Sequence, residues 1–81
     1  MSVSEETVVE ARFSVTGEIS PHSFTWRGSI LSVEGVGRRW REGDERCFVV
    51  LAAGGRLFEL RLDERTLCWQ VSSVSVTGAF A

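Results

Sequence analysis

The chain has no lysine and no tyrosine, and it carries one proline, one histidine and two cysteines. Each scarcity closes a route. Two cysteines and one histidine cannot supply the four ligands of a structural zinc site. The lone histidine, His22, follows Pro21, and no Asp or Glu stands near it in a pattern that would orient a catalytic base. Ten serines are present, but nothing in their spacing ties one to His22. The carboxylates fall in pairs at turns and at the terminus (Glu5-Glu6, Asp44-Glu45, Asp63-Glu64), where acids cap backbone amides and keep a fold soluble. No loop has calcium-binding spacing, and Gly54-Gly55 lacks the Lys-Ser/Thr of a phosphate-binding loop. The expectation is a non-enzymatic chain with no catalytic residue, no metal and no cofactor.

Long apolar runs are also missing, so no membrane span is expected, and Met1–Glu10 does not read as a signal peptide. The reading is a soluble bacterial cytoplasmic protein with reduced thiols. A chain of 81 residues makes one domain. Such a chain buries only about 60% of its unfolded surface, which leaves a core one layer thick.

What remains is arginine, Trp and Phe on an alternating background. All nine basic residues are arginine. A GC-rich coding sequence would account for that, as would selection for planar, stacking guanidinium groups. The net charge of −2 argues against a dedicated duplex-DNA binder. The charge is unevenly spread, however: residues 38–46 hold four arginines against three acids, and residues 1–10 hold three acids and no arginine.

Residues 1–6 are polar and acidic and are expected to fray, with a single β-barrel domain over 7–76 and a tail over 77–81. From Thr7 the sequence alternates, with Val9, Ala11, Phe13 and Val15 on one face of a half-buried strand. Gly17–His22 reads as a loop around Pro21. Arg27-Gly28 reads as a two-residue hairpin turn that pairs Trp26 with Ser29, Thr25 with Ile30 and Phe24 with Leu31. Phe24, Trp26, Leu31 and Val33 then share a face. Gly35 and Gly37 mark bulges that let a long strand curl.

Gly54-Gly55 predicts a second tight hairpin, with Leu51 facing Phe58, Val49 facing Leu60 and Cys47 facing Leu62. A four-residue turn, Asp63–Thr66, then places Leu67 opposite Leu62 and Trp69 opposite Leu60. In that register Cys47, Val49, Leu51, Phe58, Leu60, Leu62, Leu67, Trp69 and Val71 point inward. Phe48, Val50, Leu57, Glu59, Arg61, Cys68 and Gln70 point outward. Cys47 and Cys68 then sit on opposite faces, where no disulfide can form. About six short strands and no helix predict an all-β fold: a small antiparallel meander or barrel, SH3-like, with an OB-like barrel as the alternative.

One segment stands out. Phe24-Thr25-Trp26-Arg27-Gly28 and Arg38-Arg39-Trp40-Arg41 lie within eighteen residues and hold two of the three Trp and four of the nine Arg. Interleaved aromatics and arginines suit a surface that stacks on bases or grips an acidic partner. They equally suit the ends of a small barrel. Trp26 and Trp69 read as core, and Trp40 reads equally as core or surface. The candidate binding surface is Trp26, Arg27, Arg39, Trp40 and Arg41.

The order Phe24-x-Trp26-Arg27-Gly28, Val33, Val36, Arg39-Trp40, Phe58-x-Leu60, Asp63, Trp69 resembles an uncharacterised family of small bacterial domains, over about residues 22–74. The domain is also similar to the C-terminal extension of some Y-family polymerase-like proteins of the DNA-damage response. The resemblance implies an accessory role in DNA repair. The chain departs from that pattern at Ser29, at Leu31 and at Gly43-Asp44, with loss of positive charge and stacking area.

Two functional expectations follow. In the first, the Trp/Arg surface binds a protein partner or single-stranded nucleic acid. In the second, the chain is a homodimerisation domain, joined through the outward apolar residues Phe48, Val50 and Leu57.

Overall fold

The computed structural model describes residues 4–74, all of them strand, turn or irregular chain with no helix. Seven antiparallel strands form one curled, barrel-like sheet in the order β1-β7-β6-β5-β4-β3-β2. They are β1 (Glu5–Thr7), β2 (Val9–Phe13), β3 (Ile19–Trp26), β4 (Ser29–Glu42), β5 (Glu45–Ala52), β6 (Arg56–Asp63) and β7 (Cys68–Ser73). No helix is present among the described residues, so none is long and apolar enough to cross a membrane. The end of the expected domain and the tail over 77–81 lie outside the described residues.

The curl comes from two strands that each serve both sides of the sheet. β4 pairs with β3 over Ser29–Ser32 and with β5 over Val33–Glu42. Its register shifts twice, between Val33 and Gly35 and between Val36 and Arg39, where the glycines predicted bulges. The N-terminal strand does the same in two pieces. β1 pairs with β7, and β2 pairs with β3. Between them Thr7 and Val8 hold Thr25: the Thr7 hydroxyl donates to the Thr25 carbonyl at 2.6 Å, and the Thr25 N–H reaches the Val8 carbonyl at 3.1 Å. Glu5 and Glu6, expected in a frayed tail, therefore lie in a strand, because β7 offers them an edge to pair with.

The first hairpin matches its predicted register, with Trp26 opposite Ser29 and Phe24 opposite Leu31. Arg27 (φ 48°) and Gly28 (φ 84°) both take the positive φ that a primed two-residue turn needs. The loop expected over Gly17–His22 is shorter. β3 already begins at Ile19 and contains Pro21, which is buried opposite Ala11 where the β2 register shifts. A bulge is where a strand tolerates proline.

The β5–β6 hairpin departs from expectation by one residue. Ala52 pairs with Arg56, so the loop is Ala53-Gly54-Gly55, with both glycines at positive φ. Val50 then faces Phe58, and Phe48 faces Leu60. A one-residue slip exchanges the two faces of a strand. Phe48 and Val50, predicted outside, are in the core at 2% and 0% exposure, while Leu51 is exposed. A dimer interface through Phe48, Val50 and Leu57 loses its first two members to the interior. The β6–β7 turn departs by two residues, with Trp69 opposite Leu62, and a slip of two preserves faces. Trp69 and Val71 stay inward, but Leu67 is left in the turn, exposed, at φ 60°.

The core is one cluster built on Phe24, Trp26, Phe48, Val50, Phe58 and Leu60. Phe58 is its centre, with Phe24 and Trp26 edge-on at 5.0 and 5.1 Å. Phe48 packs on Trp69 at 5.8 Å.

Candidate functional site

The two ends of the barrel differ. At the β3–β4 hairpin the end is shut. Trp26 is buried, the Arg27 guanidinium covers its ring at 4.6 Å, and Arg27 pairs with Glu5 of β1 at 3.5 Å. Trp26 and Arg27 therefore belong to the fold at this end. The eight residues of β3 separate them from Ile19 by more than about 20 Å.

The other end is open, because β3 and β4 stop pairing beyond Ser23–Ser32 and splay. Arginines fill the gap. Alternation after the second β4 bulge sends Arg39 and Arg41 to the inner face, opposite Phe48 and Arg46 of β5. The Arg39 guanidinium donates to the Ile19 carbonyl of β3 and lies 5.9 Å from the Phe48 ring. Arg46 donates to the Gly17 carbonyl at 3.2 Å. Arg41 and Arg46 face each other across the hairpin, where like charges repel. A single carboxylate lies between them. Glu64 takes both arms of Arg41, at 2.8 and 3.4 Å, and one arm of Arg46 at 3.5 Å. It is placed there by the β6–β7 turn, whose Glu64 N–H bonds the Asp44 carbonyl at 2.9 Å.

These groups border an open cleft of about 520 Å³, walled by the Ser14–Glu18 turn on one side and by β4 and β5 on the other. Three guanidiniums face two carboxylates, Glu64 and Glu18, and only Glu64 pairs with an arginine of the cleft. Phe13 adds an apolar element: it stands opposite Ile19, is 61% exposed, and ends the inner-facing row of β2. Arg39 has no carboxylate partner among the described residues.

Trp40 borders this cleft, but its indole is on the outer face. Its Nε1 donates to Glu42 at 2.7 Å, and Arg38 lies over its ring at 4.7 Å. There the charge pattern is reversed. Arg61 binds Glu59, Glu45 at 2.9 Å and Glu42 at 3.5 Å. Burial alone would lower the Arg61 pKa. The hydrogen bonds to Glu59 and Glu45 outweigh it and raise the value, so its charge is fixed. The Trp40 indole and then Arg61 hold the Glu42 carboxyl below the usual carboxylate range. Cys47 lies between Trp40 and Arg61 in this outer row and is fully buried. Burial pushes its thiol up and keeps it protonated. Cys68 is exposed. Both cysteines are free, as expected, but not for the expected reason: the one-residue slip in β5 puts Cys47 on the outer face, the face that also carries Cys68, and not on the opposite one.

Of the five residues proposed from sequence, the structure brings Arg39, Trp40 and Arg41 to one rim and leaves Trp26 and Arg27 at the far end. Sequence reasoning missed Arg46, Glu64 and Phe13. The one-residue slip in β5 hid Arg46 by putting it on the wrong face. Phe13 had been visible as an inward position at a strand end. Among the described residues no group of histidine, cysteine and carboxylate side chains could hold a metal ion. No protein-family model, curated protein or solved structure matches the chain.

Proposed function

We propose that this chain is a non-enzymatic interaction module that takes an anionic macromolecular partner at its open end. One observation carries the reading: Arg39, Arg41 and Arg46 converge on a single open cleft, in a chain whose net charge is negative. Guanidiniums at a barrel mouth offer forked donors to carboxylate or phosphate. A protein partner is the first reading, because the surplus of positive charge is local and small. A track for a nucleic-acid backbone needs several unpaired cations in a row. Single-stranded nucleic acid is the second reading, favoured by the exposed Phe13, which stands opposite Ile19 at this end and offers a ring for a base to stack on. The sequence resemblance would set either partner in a DNA-repair assembly.

The test is a tryptophan-fluorescence titration with poly-glutamate and with single-stranded oligothymidylate, at low and at high salt. The expected result is a saturable change that weakens with salt and is lost in Arg39→Gln. A flat response to both polymers at low salt would sink the proposal.

A further inference from the structure

Glu64 occupies the seat that an anionic partner would want. It closes a forked contact on Arg41 and a single-armed one on Arg46. The Arg41–Arg46 opposition explains why an internal carboxylate is useful there, since without it two guanidiniums face each other. Among the described residues nothing comparable serves Arg39, whose guanidinium bonds a backbone carbonyl and lies over the Phe48 ring. The mouth thus offers one unpaired guanidinium, one carboxylate-filled pair and an exposed phenyl ring beside them.

We infer that the partner is an acidic peptide segment. One of its carboxylates lies on Arg39, and a second displaces Glu64 from Arg41 and Arg46. This rests on the proposal that the open end is the binding site, and adds the chemistry of the partner and the residue that competes with it. Two observations favour a peptide over a nucleic acid. The occupied seat already holds a carboxylate in fork geometry. Phe13 and Val15, exposed on the turn side, give an apolar side chain of a peptide a surface to cover.

Glu64 is in this view a built-in competitor. Its turn is anchored by backbone bonds to Asp44 and from Leu67 to Asp63, and by the Asp63 carboxylate accepting from the Arg65 N–H, so the Glu64 carboxylate can leave while the turn stays. An internal group that fills the seat roughly nine-tenths of the time lowers apparent affinity about tenfold.

The experiment measures anisotropy of fluorescein-labelled deca-glutamate and of labelled oligothymidylate of the same length, against wild type, Glu64→Gln, Arg39→Gln and Glu34→Gln. Glu34 is exposed on β4, seven positions from Arg41, and removes the same charge far from the mouth. Circular dichroism confirms that each variant is folded. The expected result is that Glu64→Gln tightens deca-glutamate about tenfold, that Glu34→Gln changes it less than about twofold, and that Arg39→Gln abolishes it. If Arg39→Gln abolishes binding but Glu64→Gln leaves it unchanged or weaker, the open end stands as the site and the competitor role is overturned. If oligothymidylate is the ligand that binds and gains from Glu64→Gln, the partner is nucleic acid and the peptide inference is overturned. Binding of neither probe to any variant removes the site itself.

Discussion

The β4–β5 hairpin carries two charge clusters back to back, and they are near mirror images. On the outer face one guanidinium, Arg61, serves three carboxylates. At the mouth one carboxylate, Glu64, serves two guanidiniums, with a third beside them. The outer cluster is enclosed at its centre, where the Arg61 and Glu59 side chains are 27% and 22% exposed, though Glu42 at its edge is 54% exposed; at the mouth Arg41 is 55% exposed and Arg46 and Glu64 are 29% and 33%. It also roofs a buried cysteine. The mouth cluster borders open solvent. The difference teaches that the small net charge of the chain is a sum of segregated charges, and that segregation separates duties. The enclosed cluster stabilises the hairpin. The open one is left exchangeable.

If that division is right, the same substitution on the two faces has unequal cost. Arg61→Met leaves Glu42, Glu45 and Glu59 facing one another and is expected to lose about 2–3 kcal/mol in urea denaturation. Arg41→Met, a like change at the mouth, is expected to lose less than about 1 kcal/mol, and less still at high salt. Equal losses would erase the comparison. The next effect is at Trp40. Trp40→Ala removes one of the two outer-row neighbours of Cys47 and is expected to cost about 1–2 kcal/mol. In wild type, a thiol reagent is expected to label Cys68 quickly and Cys47 only on unfolding. In Trp40→Ala a second fast thiol is expected, and its absence would mean that Arg61 alone covers Cys47.

The smallest effect is a pH dependence. The folded state depresses the Glu42 pKa below its ordinary 4.5, so Glu42 contributes stability above that pH and loses it as pH falls through the depressed value. Wild type is therefore expected to be more stable than Glu42→Gln at neutral pH, with the gap closing in acid. A gap that persists unchanged into strong acid would show that the hydrogen bond from Trp40 does not depend on the charge.

Much of the fold was legible because alternation and turn chemistry are local. Arg27-Gly28 and the β4 glycines stated their geometry in two residues each. The β5–β6 loop did not, because Gly54-Gly55 supports either a two-residue or a three-residue turn, and Ala53 decides which. That single residue moved Phe48 and Val50 into the core and turned Arg46 toward the mouth. The β6–β7 turn was misplaced by two, and the faces survived the error. The site was less legible than the fold, since it depends on which strands diverge. Nothing local to Ile19 or Arg39 says that β3 and β4 part there, nor that Glu64 arrives from a turn more than twenty residues away.

The split N-terminal strand has a consequence for how the chain is made. Strands β3 to β7 form a run of hairpins between neighbours, each able to pair soon after synthesis. Glu5–Thr7, in the first strand of the sheet to be made, find their partner in Val71–Trp69, in the last. Until then the apolar side of the N-terminal strand and the cluster it covers wait with an uncovered edge. Such late, long-range pairing slows folding and exposes the nascent chain to wrong partners. The seam at Thr7, Val8 and Thr25 is thus the last stitch of the barrel, and the step at which a helper on the emerging chain would have the most to protect.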